Sequence, residues 1–120
     1  MAVDDILFAP IAAVAAGYRD GSLSPVAVTE LALARIAALN PVINAFITVT
    51  ADRARAAAQR AEEELRRGKD RGLLHGIPIA LKDLIDTAGV RTTCGGRILA
   101  DHVPAHNAPI VDRLEAAGAV

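Results

Sequence analysis

Lys82 follows an apolar run, residues 77–81, that the pattern predicts to be a buried strand. Burial disfavours the charged ammonium and lowers the pKa of a lysine, and a neutral lysine can act as a general base. Serine–lysine pairs carry out acyl transfer in this way, with the lysine deprotonating the serine. Lys82 is therefore the leading candidate for a catalytic residue. The structural alternative is a lysine whose stem lies along a sheet edge while its amine reaches water.

The two acidic residues near Lys82 are expected to have structural roles. Asp83 is its neighbour in the sequence, but adjacent residues of a strand point to opposite faces. A direct ion pair between the two side chains is therefore not expected. We predict instead that Asp83 and Asp86 cap or brace the turn that follows.

Histidine and cysteine side chains suggest two other kinds of site. His102 and His106 have the four-residue spacing of some zinc sites, but Pro104 between them disfavours a helix that would align the rings. We expect solvated loop histidines, His75 included, and no metal site. Cys94 could be a nucleophile, but no recognised motif ties a histidine to it. We expect it to be buried as a small apolar residue.

The composition narrows the class of protein. The chain has 120 residues, of which 52% are hydrophobic, 22% charged and 2% aromatic, and its net charge is −1. Alanine supplies much of the apolar content, which fits part of a larger protein better than a free-standing domain. The charge gives no sign of nucleic-acid binding, and no apolar run approaches the roughly 20 residues that span a bilayer. The single cysteine cannot form an internal disulfide, so we expect a cytoplasmic protein.

Apolar periodicity and capping residues predict four helices. They cover residues 10–19, 24–39, 51–67 and a last segment that begins near residue 107 and ends at 117–118. Ser24 and Pro25 are typical of a helix start, and Asn40-Pro41 is expected to end that helix. Thr50 and Asn107 are the expected N-caps of the last two helices.

Short strands are predicted at residues 43–49 and 77–81, and another is expected to begin at 119–120. The alternation of helix and strand indicates an α/β architecture. We expect residues 1–120 to form one partial domain. Residues 1–72 would be its mainly helical N-terminal region, and residues 73–120 would be the start of an α/β core.

Three stretches of the sequence resemble the amidase signature family. They are L-H-G-I-P-I-A-L-K-D at 74–83, D-T-A-G-V-R-T-T-C-G-G at 86–96 and A-P-I-V-D-R-L-E-A-A-G-A-V at 108–120. The order and the spacing of these stretches agree with the family, and so does their residue content. Residues 24–31 and 43–48 also resemble the helical N-terminal region of the family, so the resemblance covers nearly the whole chain.

The resemblance implies hydrolysis of linear amides by a nucleophilic serine, a bridging serine with a cis peptide bond, and a lysine that Lys82 matches. It implies no metal or organic cofactor. The implied fold is a large mixed β-sheet flanked by helices, of which this chain would hold the N-terminal helices and the first strands, truncated. Both catalytic serines lie further along in the family than Val120. Ser22 and Ser24 do not replace them, so the 120-residue chain alone is expected to be inactive.

Two alternative functions stay open. Residues 92–94 and 97–99 resemble the A subunit of glutamyl-tRNA(Gln) amidotransferase, which releases ammonia from glutamine for partner subunits, although Leu84 stands where that protein usually has asparagine. The other alternative is a non-catalytic interaction fragment in which Lys82 is structural. The expected partners are a small-molecule amide and either a second copy or amidotransferase subunits, with no nucleic acid and no membrane.

Overall fold

The computed structural model describes residues 3–120, and this part of the chain is helical. Its helices are α1 (Val3–Ile6), α2 (Ile11–Asp20), α3 (Pro25–Ile43), α4 (Ala51–Arg66) and α5 (Pro109–Ala116). Residues 67–108 form turns and loops, with an isolated antiparallel bridge between Thr87 and Val90. The predicted helices over 10–19 and 51–67 are confirmed as α2 and α4.

The predicted start of α3 is confirmed, and its predicted end is wrong. Ser24 is the N-cap, and its Oγ accepts a hydrogen bond from the backbone N of Ala27 at 3.1 Å. The helix continues through Pro41 to Ile43, and Asn44 closes it with φ 50°. Proline forfeits one hydrogen bond within the last turn. The backbone N of Asn44 still donates to Asn40 O at 2.8 Å, so the turn closes beyond the proline.

Of the two other predicted N-caps, Thr50 occupies the N-cap position of α4 as predicted, although its side chain makes no cap bond. The prediction for Asn107 is wrong, because Ala108 occupies the N-cap position of α5. Asn107 has a different role, because its Oδ1 accepts from the backbone N of Ala88 at 2.7 Å and its Nδ2 donates to Asp112 Oδ1 at 2.9 Å. This side chain joins the turn near residue 88 to α5.

A helical hairpin and a small core organise the described residues. Glu30 on α3 pairs with Arg55 on α4, and Ser24 donates to Glu62, so the two helices run antiparallel. One cluster of the buried core consists of Val14, Tyr18, Val28 and Ile77. Residue 77 therefore anchors the segment that leads to Lys82 against α2 and α3.

The predicted strands are absent from residues 3–120. Residue 43 ends α3, and residues 44–50 form the connection to α4. The 77–81 segment pairs with one residue: Val120 N donates to Ile77 O at 2.9 Å, and Ile79 N donates to Val120 O at 2.7 Å. This is the bonding pattern of a parallel pair, but it extends over a single residue. A strand needs a continuous neighbouring backbone, which the described residues do not supply.

One described helix, α3, is long and apolar enough to cross a membrane by length and composition. It has 19 residues, its most apolar window has a mean hydropathy of 1.6, and 11% of that window is buried. The expectation that no apolar segment approaches bilayer length is therefore corrected. The core helix of a soluble protein passes the same test, so this property alone does not place α3 in a membrane.

Candidate functional site

Lys82 lines an open cleft of about 860 Å³. The walls of the cleft come from α3, α4, the loop between them, the 78–92 segment, α5 and residues 118–120. The Lys82 side chain is exposed, and it makes no hydrogen bond or ion pair with any residue of the described range 3–120. Its amine is therefore available to other groups that enter the cleft.

The expectation that Lys82 is buried at the end of an apolar strand is wrong for the described residues. Ile77 is 6% exposed, but exposure rises along the segment and reaches 37% at Leu81. The reason is the short pairing with Val120, because the backbone of residues 80 and 81 has no hydrogen-bonded partner among residues 3–120. The end of the run that carries the lysine thus faces the open cleft.

Asp83 braces the turn at residues 93–95, as predicted. Its Oδ1 accepts from the backbone N of Thr93 at 2.9 Å, and its Oδ2 accepts from the Thr93 hydroxyl and from Gly95 N at 3.4 Å. The Thr93 hydroxyl and the backbone bonds hold the pKa of Asp83 below its usual value. The carboxylate faces this turn and forms no ion pair with Lys82. Asp86 contributes through its backbone carbonyl, which accepts from Ala108 N at 2.8 Å.

Cys94 is exposed, which corrects the expectation that it is buried. Its backbone N donates to Asp83 O at 2.8 Å, and its φ of 51° lies in the left-handed region. The neighbouring Thr92 and Thr93 are buried. The tight turn therefore buries the two threonines and presents the cysteine to solvent.

His75 is buried, which corrects the expectation that it is a solvated loop histidine; it is 2% exposed. Its Nδ1 accepts from the backbone N of Arg71 at 3.2 Å. Its Nε2 lies 3.1 Å from Glu64 Oε2 and makes no hydrogen bond within the described residues. Burial lowers the pKa of His75, and the negative charge of Glu64 partly opposes this shift. The position of His75 beside the apolar 77–81 run was the sequence signal for burial.

Glu64 is the centre of a cluster of basic groups. Arg71 Nε donates to its Oε2 at 2.7 Å, and Lys69 Nζ donates to its Oε1 at 2.8 Å. The hydrogen bonds from Arg71 and then Lys69 lower the pKa of Glu64 from 4.5 to about 2. Glu64 therefore stays charged beside His75 at any pH above about 4.

Histidines 102 and 106 are both exposed. Within residues 3–120, no group of three or more histidine, cysteine, aspartate or glutamate side chains is arranged to hold a metal ion. The Ser24 hydroxyl is engaged with Glu62 and with the start of α3. The described part of the chain thus presents one free amine at a cleft, Lys82, and a hydrogen-bonded turn next to it.

The family model described as Amidase matches residues 27–120 of the chain. Among curated proteins, the A subunit of the glutamyl-tRNA(Gln) amidotransferase of Chloroflexus aurantiacus is 49% identical over 110 residues, which are 92% of this chain and 23% of that protein. The protein of the same name from Anaeromyxobacter dehalogenans is 49% identical over 105 residues, which are 88% of this chain and 21% of that protein.

The chain also matches solved structures. The native peptide amidase of Stenotrophomonas maltophilia matches with a TM-score of 0.85 and 39% identity, over 92% of this chain and 23% of that chain. A chain of a vestigial protein complex that reveals the origins of an s-triazine catabolic enzyme matches with a TM-score of 0.84 and 40% identity, over 89% of this chain and 24% of that chain. The 120 residues span about a quarter of the length of these relatives.

Proposed function

The chain belongs to the amidase family, and on that basis we propose that it is the N-terminal, lysine-bearing part of a serine-dependent amidase that hydrolyses linear amides. The observation that carries the proposal is the position of Lys82. It lies in the L-H-G-I-P-I-A-L-K-D motif, within the matched residues, and its amine faces a cleft with no partner among residues 3–120. The nucleophilic and bridging serines belong to residues beyond Val120, and the reaction uses no metal or organic cofactor.

In the proposed reaction, neutral Lys82 removes the proton of the bridging serine, which in turn takes the proton of the nucleophilic serine. The nucleophile attacks the amide carbonyl, the C–N bond breaks, and the amine leaves with the proton that Lys82 had accepted. Water then hydrolyses the acyl-enzyme. A neutral lysine requires desolvation, so we propose that further residues of the protein cover the end of the 77–81 run.

The proposal also covers the fold to which these residues belong. Residues 1–72 form a mainly helical layer, and residues 73–120 begin the mixed sheet of the catalytic core. The parallel bonding of Val120 with Ile77 and Ile79 supports the sheet, because a longer neighbouring strand would extend this pattern toward Lys82. A sheet packed on α3 would also cover its apolar surface. We propose a cytoplasmic protein with a small-molecule amide as substrate, acting alone or as a homo-oligomer.

The second candidate is the A subunit of a glutamyl-tRNA(Gln) amidotransferase. The observation in its favour is the 49% identity with two proteins of that name. In this case the amide would be that of glutamine, and partner subunits would receive the ammonia. The third candidate, a non-catalytic interaction fragment, assigns Lys82 a structural role only.

The test measures ammonia release by the full-length protein from L-glutamine and from a C-terminally amidated dipeptide. We expect Lys82→Ala to lower kcat by about 10⁴-fold or more, as removal of a member of a catalytic triad generally does. Lys69→Ala is the matched control, because Lys69 is the other lysine of the sequence and pairs with Glu64 at an exposed position.

Three results would change the assignment. Unchanged turnover in Lys82→Ala, or no ammonia from either amide with the unmodified protein, would favour the non-catalytic candidate. Release from glutamine only after partner subunits are added would favour the amidotransferase.

A further inference from the structure

The side chain of Lys82 has no partner within residues 3–120, so the direction in which it points depends on how the Lys82 backbone is held. On one side, Ile77 and Ile79 are bonded to Val120. On the other side, the carbonyl of Lys82 accepts from Leu84 N at 2.8 Å and from Ile85 N at 2.9 Å, which closes a tight turn. The first residue after the lysine in this turn is Asp83.

Asp83 is held at both its backbone and its side chain. Its carbonyl accepts from Cys94 N at 2.8 Å, and its carboxylate accepts from the backbone N and the hydroxyl of Thr93 and from Gly95 N. Thr93 is 6% exposed, so the hydroxyl that donates to Asp83 is itself fixed by packing. The carboxylate thereby accepts three hydrogen bonds from the turn and forms no ion pair with Lys82 in the described structure.

We propose that the Asp83–Thr93 contact is a clamp that positions Lys82 for proton transfer. The contact ties the peptide unit that follows the lysine to a rigid turn ten residues further along. A displacement of about 1 Å at a reacting group costs up to about 100-fold in rate. The clamp thus fixes the amine in the cleft without touching it. This proposal rests on the proposed function of Lys82, and Asp83 and Thr93 are positioning residues in it.

The experiment uses the full-length protein with L-glutamine and a C-terminally amidated dipeptide as probes, and compares Asp83→Asn, Thr93→Val and Thr93→Ser. The substitution Asp83→Asn keeps the shape of the side chain but removes one acceptor oxygen, and Thr93→Val removes the donating hydroxyl. We expect both to lower kcat by about 10- to 100-fold while KM changes less than about threefold. Thr93→Ser retains the hydroxyl and should keep kcat within about threefold of the unmodified protein.

The matched control is Thr92→Val. Thr92 is also buried in this turn, but its hydroxyl donates to Val90 O at 3.1 Å and does not contact Asp83. Thr92 also lines the cleft, so the comparison is a relative one: we expect Thr92→Val to lower kcat by less than Thr93→Val, because its hydroxyl is not part of the clamp. Equal losses of kcat in Thr92→Val and Thr93→Val would show that general stability of the turn is responsible and would overturn the proposal.

Failure of the clamp and failure of the proposed function give different results. If Lys82→Ala abolishes turnover while Asp83→Asn and Thr93→Val retain it, the clamp is refuted and the catalytic lysine stands. If Lys82→Ala retains turnover, both proposals fail. Should Asp83→Asn not fold, the comparison of Thr93→Val with Thr93→Ser decides, since the two differ in the hydroxyl that the clamp requires.

Discussion

Nε2 of the buried His75 lies 3.1 Å from Oε2 of Glu64, and this contact joins α4 to the loop that leads to Lys82. The same ring accepts a hydrogen bond from the backbone of Arg71 and lies against Gly118, just after α5. Three segments that are distant in the sequence therefore meet at one imidazole. A backbone bond from Gly76 N to Gly118 O, 2.8 Å long, joins two of these segments directly.

The first prediction concerns acid stability. Burial lowers the pKa of His75 in the folded protein below its ordinary value of 6.5, so the unfolded chain binds a proton more readily. His75 therefore contributes stability that is present above pH 6.5 and is lost as the pH falls toward its folded pKa, by up to about 1.4 kcal/mol per pH unit. Glu64 stays charged in this range, because its pKa is about 2. We expect the urea midpoint of the full-length protein to fall between about pH 6.5 and 5.

Two variants test whether His75 causes this dependence of stability on pH. His75→Gln cannot gain a proton, so its stability should vary less between about pH 6.5 and 5 than that of the unmodified protein. His102→Gln is the control, because His102 is exposed, and it should keep the original slope. A slope that is the same in His75→Gln and in the unmodified protein would contradict the prediction.

The second prediction concerns Ser24, the N-cap of α3. Its hydroxyl accepts from Ala27 N and donates to Glu62, so Ser24→Ala should lower the free energy of unfolding by about 1 kcal/mol. Ser22→Ala is the control and should change the free energy of unfolding by less than about 0.5 kcal/mol, since Ser22 caps no helix and its contacts are with the exposed Asp20 two residues earlier. Chemical denaturation measures both changes.

The same two variants also test the serines as nucleophiles. Neither serine is assigned to the reaction, so both variants should release ammonia from the amide probes at the rate of the unmodified protein. A loss of turnover in Ser24→Ala without a loss of stability would contradict this assignment.

The helices were predictable because their signals are local. Ser24-Pro25 marks the start of α3, and apolar spacing defines α2 and α4 within the chain's own sequence. The end of α3 was not predictable, because the turn closes at Asn44 through a bond to Asn40, beyond Pro41. The strand predictions were wrong for a different reason: the 77–81 run has the strand pattern, but a strand also needs a partner backbone, which residues 3–120 supply at Val120 alone.

The candidate site was predictable where neighbours in the sequence decide the geometry. Asp83 makes no ion pair with Lys82 and braces the next turn, as predicted, although residues 82–85 form a tight turn and not an extended strand. The predictions for His75 and Cys94 were wrong, because their exposure depends on contacts across the fold. The imidazole is buried by α4 and the turn after α5, whereas the thiol is turned outward by a left-handed backbone. Neither contact leaves a periodic signal in the sequence, although His75 does precede the apolar 77–81 run.

The third prediction concerns Gly118, where the backbone has φ 78°. A Cβ at this position would lie 2.4 Å from Cδ2 of His75, so Gly118→Ala adds a steric clash to the cost of a left-handed conformation. Gly68 has φ 80° and no atom within 4 Å of such a Cβ, so Gly68→Ala carries the conformational cost alone. We expect Gly68→Ala to lower the free energy of unfolding by about 1–2 kcal/mol, and Gly118→Ala to lower it by roughly 1–3 kcal/mol more. Urea unfolding of both variants gives the difference, and equal losses would show that His75 does not pack against residue 118.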